Sequence, residues 1–166
     1  GEKEIYEKYE QLFRDMSVKD GYGYMGKSGA GHFVKMVHNG IEYGMMQALG
    51  EGFEIMKKSP FSLDMLSVAK IYNHGSVIES RLVGWLIEAY AKFGNELNAD
   101  ECCSGKVSHS GEGQWTVDAA RELGIPAEII EGALEFRKKS QENPSYAGQV
   151  VSALRHQFGG HNASNK

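Results

Sequence analysis

Five side chains within a nine-residue window could handle protons: Lys35, His38, Asn39, Glu42 and Tyr43. An α-helix turns about 100° per residue, so Asn39 lies roughly 40° from Lys35, Glu42 about 20° to the other side and Tyr43 about 80° away. His38 falls roughly 60° off in the opposite sense. One helical face thus gathers an ammonium, an amide, a carboxylate, a phenol and an imidazole. Phe33, Met36, Val37, Ile41 and Met45 take much of the remaining circumference, and a helix apolar over most of its surface is expected to be buried. Burial lowers the pKa of a lysine and raises that of a glutamate, which makes a general base and a general acid usable at cellular pH. The same residues also fit a buried Lys35–Glu42 ion pair among satisfied histidines. Residue types alone leave both readings open.

The elements that must position these groups follow from apolar spacing. The central helix is expected over His32–Lys58, ended by Ser59-Pro60, with Lys57 and Lys58 suited to its C-terminal dipole. Before it, Glu2–Met16 reads as one amphipathic helix with Ile5, Leu12, Phe13 and Met16 on a stripe, and Tyr22–Met25 as a short strand. After it, helices are expected over Leu63–Tyr72 with Ser62 as cap, Val77–Phe93, Val117–Leu123 capped by Thr116, Ala127–Lys139 and Tyr146–Phe158. Residues 95–113 read as loop. The fold class is all-α: a bundle of helices around one long buried helix.

Composition narrows the function. The chain has 166 residues, enough for a domain with a sizeable core, and a formal net charge of -4, which argues against a general nucleic-acid binder. No apolar run approaches the ~20 residues that cross a bilayer, and no signal peptide is visible. The only two cysteines, Cys102 and Cys103, are adjacent, so an ordinary structural disulfide between them is not expected, and no Cys-x-x-Cys pair offers a zinc site. These features predict a soluble, cytoplasmic protein.

Two motifs mislead. Gly21 to Gly26 satisfies the dinucleotide pattern G-x-G-x-x-G, and Gly21 to Ser28 the phosphate-loop pattern G-x-x-x-x-G-K-[ST]. Either needs a buried strand just before it, and Arg14–Asp20 contains no β-like apolar run.

The run Gly29-Ala-Gly-His-Phe-Val-Lys-Met-Val-His-Asn-Gly-Ile-Glu-Tyr-Gly44 resembles the signature of the decarboxylating 6-phosphogluconate dehydrogenases. A glycine-rich run ending in Trp115-Thr116 and the tail Arg155-His-Gln-Phe-Gly-Gly-His161 resemble two further family motifs, in the form of the shorter bacterial branch. The resemblance implies that Lys35 takes the proton of the substrate 3-hydroxyl and later returns one to the same oxygen as carbon dioxide leaves. It implies that Glu42 protonates the enediol at C1, and that His38 and Asn39 orient 6-phosphogluconate. Tyr43 and Arg137 would touch its phosphate. Arg155 and His161 would reach across a homodimer to complete the partner's site. Ser110 and Gln114 stand where longer members carry lysines, so those lysine roles do not transfer. The implied cofactor is NADP or NAD, with no metal.

In such enzymes a Rossmann domain comes first. Residues 1–28 would be its end and linker, 29–161 the catalytic and dimerisation domain, and 162–166 a disordered tail. The chain is then expected to be the C-terminal part of a longer protein and inactive alone. Two other readings stay open: another β-hydroxyacid dehydrogenase domain, or a non-catalytic helical dimerisation module.

Overall fold

The computed structural model describes residues 1–98 and 103–159. These form eight helices and no strand: α1 (Lys3–Lys8), α2 (Glu10–Met16), α3 (Ala30–Lys58), α4 (Met65–Tyr72), α5 (Arg81–Phe93), α6 (Glu112–Glu122), α7 (Glu128–Ser140) and α8 (Tyr146–Gly159). The all-α class read from the apolar spacing holds. Among the described residues no helix is long and apolar enough to cross a membrane.

α3 is the axis of the bundle, 29 residues long and so roughly 44 Å. α6, α7 and α8 pack directly against it, and α5 joins through α8 and α4. The C-terminal half of α3 supplies the core: Met46 and Phe53 are buried beside Met65, Val83, Leu86, Tyr90 and Leu154. Phe53 lies 5.6 Å from the Tyr90 ring and meets Tyr72 edge-on at 6.1 Å. Burying the Tyr90 hydroxyl costs free energy unless it is bonded, and it pairs with Tyr146 Oη at 3.0 Å, whose hydroxyl also donates to the Asn95 carbonyl at 2.7 Å.

The crossing of α3 and α6 depends on missing side chains. A Cβ on Gly40 would lie 2.6 Å from Thr116 Cγ2, and one on Gly113 would lie 2.3 Å from the Tyr43 ring. Both distances are inside contact range, so only glycine lets the two helices approach this closely. Thr116 then shares its hydroxyl proton between the carbonyls of Met36 (2.8 Å) and Glu112 (2.9 Å).

Several local expectations change. Thr116 is not a cap: α6 begins four residues earlier, after Gly111, and the threonine hydroxyl is used across the helix crossing. α4 is capped by Asp64, which accepts from Leu66 N at 3.3 Å, in place of Ser62. α5 starts at Arg81 with Ser80 as cap, leaving Val77 and Ile78 in an exposed turn. The N-terminal helix is two helices, broken at Tyr9 (φ -110, ψ 14), and neither buries any residue. Its stripe stays in solvent, with Leu12 54% and Met16 77% exposed. Residues 21–26 are irregular, with no ladder partner to make Tyr22–Met25 a strand. Cys103 is buried; Cys102, and with it the expectation about the two cysteines, lies outside the described residues, as do His161 and the tail 162–166.

Candidate active site

α3 presents the predicted face as the spacing requires. Lys35 Nζ donates to Asn39 Oδ1 one turn on and lies 3.4 Å from His38 Nδ1. His38 Nδ1 is in turn 3.0 Å from Asn39 Oδ1 and 3.8 Å from Glu42 Oε2. Among the described residues Lys35 makes no ion pair with Glu42, so the buried i, i+7 pair is not what this sequence builds. Nor is Lys35 buried, as the apolar circumference predicted. Phe33, Ile41 and Met45 are 46%, 53% and 45% exposed, and Lys35 sits with them at the uncovered end of α3. The pattern is apolar, but among the described residues no helix covers that flank.

One turn further in, the environment changes. Tyr43 is buried, and the Arg137 guanidinium lies over its ring, with Cζ 3.4 Å from the centroid. Arg137, on the last turn of α7, is only 1% exposed, whereas its neighbours Lys138 and Lys139 are in solvent. It is therefore no helix-end surface cation. Its Nη1 donates to the Ser108 carbonyl at 3.4 Å, and its Nη2 is buried with no hydrogen-bond partner. Arg155, on α8, is also buried and donates to Ser108 Oγ at 2.5 Å. Among the described residues neither arginine has an acidic ion-pair partner. Burial is the main reason the Arg137 pKa is pushed down to about 10, with the Arg155 charge adding to it and Tyr43 and Glu42 opposing it. Burial likewise lowers Arg155. Buried charges are normally paired, so two unpaired guanidiniums side by side form a preorganised seat for an anion.

A pocket of about 220 Å³ opens above this seat, lined by Lys35, Asn39, Glu42, Tyr43, Ser110, Glu112, Arg137 and Arg155, with Met46 and Phe158. The structure thus brings together Lys35, Asn39, Glu42, Tyr43, Arg137 and Arg155; His38 stands at the rim. Arg155 lines its own chain's pocket, because α8 packs along α3.

The loop before α6 holds groups the residue types did not single out. Ser110 N donates to Tyr43 Oη at 3.3 Å, and its hydroxyl donates to Glu112. His109 is held below its ordinary pKa by partial burial and then by Lys138, Arg137 and Arg155. Glu112 is held below the usual carboxylate range, chiefly by Ser110, with Lys35 and Asn39 adding to the effect. Gln114 points elsewhere, donating to Asp118 at 2.8 Å. His74, in the turn after α4, is exposed and lines no part of the pocket. The only signal for Glu112 in the sequence is a carboxylate framed by Gly111 and Gly113 just before a helix.

The family model of the 6-phosphogluconate dehydrogenase C-terminal domain matches residues 31–158, which include every lining residue of the pocket. The chain belongs to the 6-phosphogluconate dehydrogenase family. It is 46% identical, over its whole length, to 54% of the Bacillus subtilis protein YqeC, provisionally named a 6-phosphogluconate dehydrogenase. It is 41% identical over 148 residues, 89% of the chain, to 48% of the NAD(+)-dependent, decarboxylating 6-phosphogluconate dehydrogenase of Haloferax volcanii. To the NADP(+)-dependent, decarboxylating enzyme of Bacillus subtilis it is 37% identical over 138 residues, covering 78% of the chain and 29% of that protein. The chain spans about half the length of the first two relatives. His161 lies beyond the family match.

Proposed function

We propose that this pocket binds 6-phosphogluconate and serves its oxidation and decarboxylation to ribulose 5-phosphate with NAD or NADP, in the cytoplasm. The observation that carries the reading is the pair of buried, acid-free guanidiniums, Arg137 and Arg155, at the floor of a pocket whose mouth holds Lys35 and Glu42. A phosphate dianion satisfies both forks, including the unpartnered Arg137 Nη2, and accepts from the Tyr43 hydroxyl. The sugar acid then extends toward α3, where His38 and Asn39 orient its hydroxyls.

The described residues do not fit a dinucleotide. The G-x-G-x-x-G run at Gly21–Gly26 follows helix α2, with no strand before it and no strand-to-helix turn to cradle a diphosphate. The chain's own residues therefore account for the proton chemistry alone. Oxidation at C3 removes the hydroxyl proton, and the neutral Lys35 amine accepts it. Loss of carbon dioxide from the resulting β-keto acid leaves negative charge on O3, and Lys35 returns its proton there. Glu42, protonated, delivers a proton to C1 of the enediol, and Lys35 takes the O3 proton back as the carbonyl re-forms. Neither step requires a metal.

A second copy of the chain is part of the proposal. The exposed flank of Val34, Ile41 and Met45 is contiguous with the pocket rim, and a homodimer would cover it; the role of His161 of the partner subunit at the phosphate is carried by the family resemblance alone, since that residue lies outside the described ones. The test of the chemistry is Lys35→Ala in the longest natural polypeptide that carries this chain. Turnover of 6-phosphogluconate should fall at least 10²-fold, on the order expected for loss of a general base, with substrate binding nearly unchanged. Near-normal turnover overturns the assignment.

A further inference from the structure

We infer that Ser108 is a positioning residue for the anion seat. It takes one N–H from each of the two buried guanidiniums, Arg137 on its carbonyl and Arg155 on its hydroxyl oxygen, and so fixes how both face the pocket. The inference rests on the proposed function only in naming a sugar phosphate as the anion. The double contact is present in the free chain.

The contact divides the donors. Arg137 Nη1 donates to the Ser108 carbonyl at 3.4 Å, and Arg155 Nη1 donates to Ser108 Oγ at 2.5 Å. Both arginines line the pocket and Ser108 does not, so the serine acts through them and not on the ligand. A guanidinium holds its N–H groups in one rigid plane, so fixing one nitrogen sets the direction of the others. On Arg137 that leaves Nη2 buried without a partner. Two like charges side by side repel, and long side chains have other rotamers to escape into. One acceptor residue shared between them opposes that drift. A serine is also neutral, so it orients both cations without cancelling either charge.

Ser108 can act as a template because the strap that carries it is tied to the same two helices that carry the arginines. On the α7 side, Val107 N donates to the buried Ser140 Oγ at 2.8 Å, and the Val107 carbonyl accepts from Gln141 Nε2 at 2.9 Å. Ser140 Oγ in turn donates to the Arg137 carbonyl at 2.7 Å. On the α8 side, Ser152 Oγ donates to the Lys106 carbonyl at 3.2 Å. A Cβ on Gly148 would lie 2.1 Å from the Gly105 carbonyl oxygen, so strap and helix meet backbone to backbone. The Val107 side chain, 1% exposed, anchors the strap in the core. Beyond Ser108, Ser110 N is held on Tyr43 Oη. Ser108 is therefore fixed from both directions along the chain, and α7 and α8 are joined through it at the floor of the pocket.

The test uses the 166-residue chain itself. In ¹⁵N-labelled protein without ligand, a guanidinium held by a hydrogen bond rotates slowly and shows separate Nη signals; Arg155→Lys identifies those of Arg155. Wild-type chain should show them, and a freely rotating Arg155 there overturns the inference with no variant needed. In Ser108→Ala the Arg155 signals should merge, while Arg137, held by the surviving carbonyl and by the Tyr43 ring, keeps its own. Unchanged Arg155 signals in that variant overturn the inference. Losing a hydrogen bond to a charged group should also weaken 6-phosphogluconate binding at least about fivefold by calorimetry. Ser108→Thr keeps the hydroxyl and should restore both the signals and the affinity, which a general loosening of the strap would not predict. A threonine variant that behaves like alanine overturns the role of the hydroxyl. Failure of 6-phosphogluconate to bind the wild-type chain would refute the proposed function and leave the ligand-free guanidinium readout to decide this inference.

Discussion

The two halves of α3 have similar apolar content and opposite fates. From Met46 onward one side of the helix is core: Met46 and Phe53 are each 1% exposed, enclosed by α4, α5 and α8, while Ile55 on the far side is 71% exposed. Before Met46, Ile41 and Met45 are about half exposed, and only the side toward α6 and α7 is covered. The boundary falls inside one turn, at the level of Tyr43. The difference shows that apolar periodicity reports which residues can be buried, while the presence of a covering element decides which are. Under the proposed function the roles divide the same way: Lys35, the proposed base, stands in the open half, and Arg137 and Arg155, the proposed phosphate seat, stand at the seam with the closed half.

The largest way to break this comparison is Phe53→Ala. Truncating a fully buried phenylalanine costs about 3–5 kcal/mol, and denaturant unfolding should read a loss of that size. A loss below ~1 kcal/mol would mean that the C-terminal half is not the core. Next comes Arg137→Met. The buried guanidinium has a folded pKa pushed down to about 10, below its ordinary value, so keeping it charged opposes folding. That cost is fully present below the folded value and eases only as pH rises through it toward the unfolded one. Replacing the charge by a side chain of similar bulk should raise stability by about 1–3 kcal/mol, by the same amount from pH 6 to pH 9, while anion binding is lost. A destabilised Arg137→Met would show instead that the arginine is a structural strut. The smallest effect belongs to the open half. Ile41→Ser should change the stability of the monomer by no more than about 0.5 kcal/mol. In sedimentation at micromolar concentration it should convert the proposed dimer to monomer. Wild-type chain already monomeric under those conditions would remove the second copy from the account.

Much of this was legible in the residues. The face carrying Lys35, Asn39, Glu42 and Tyr43 follows from the turn of a helix, and the all-α class from the repeated apolar spacing. Residue types alone do not separate Arg137 from Lys138 and Lys139, because three successive cations at a helix end look alike until packing buries one of them; only the family resemblance singled it out. That Arg155 lines the pocket of its own chain was not legible either, since the direction of a last helix is set by tertiary packing. Glu112 and Ser108 were invisible for a related reason: loop residues gain roles from where the loop is held, here by Thr116 and by the close approach at Gly113. The uncovered flank was misread as buried because one chain's sequence does not say which surfaces its neighbours reach.

The most direct test of the central claim, that Arg137 and Arg155 form a phosphate seat beneath Lys35 and Glu42, is a calorimetric titration of this chain with 6-phosphogluconate, set against gluconate. The account predicts saturable one-site binding of 6-phosphogluconate, none of gluconate at the same concentrations, and loss of binding in Arg137→Met. Equal binding of the two ligands, or unchanged 6-phosphogluconate binding in Arg137→Met, would contradict it.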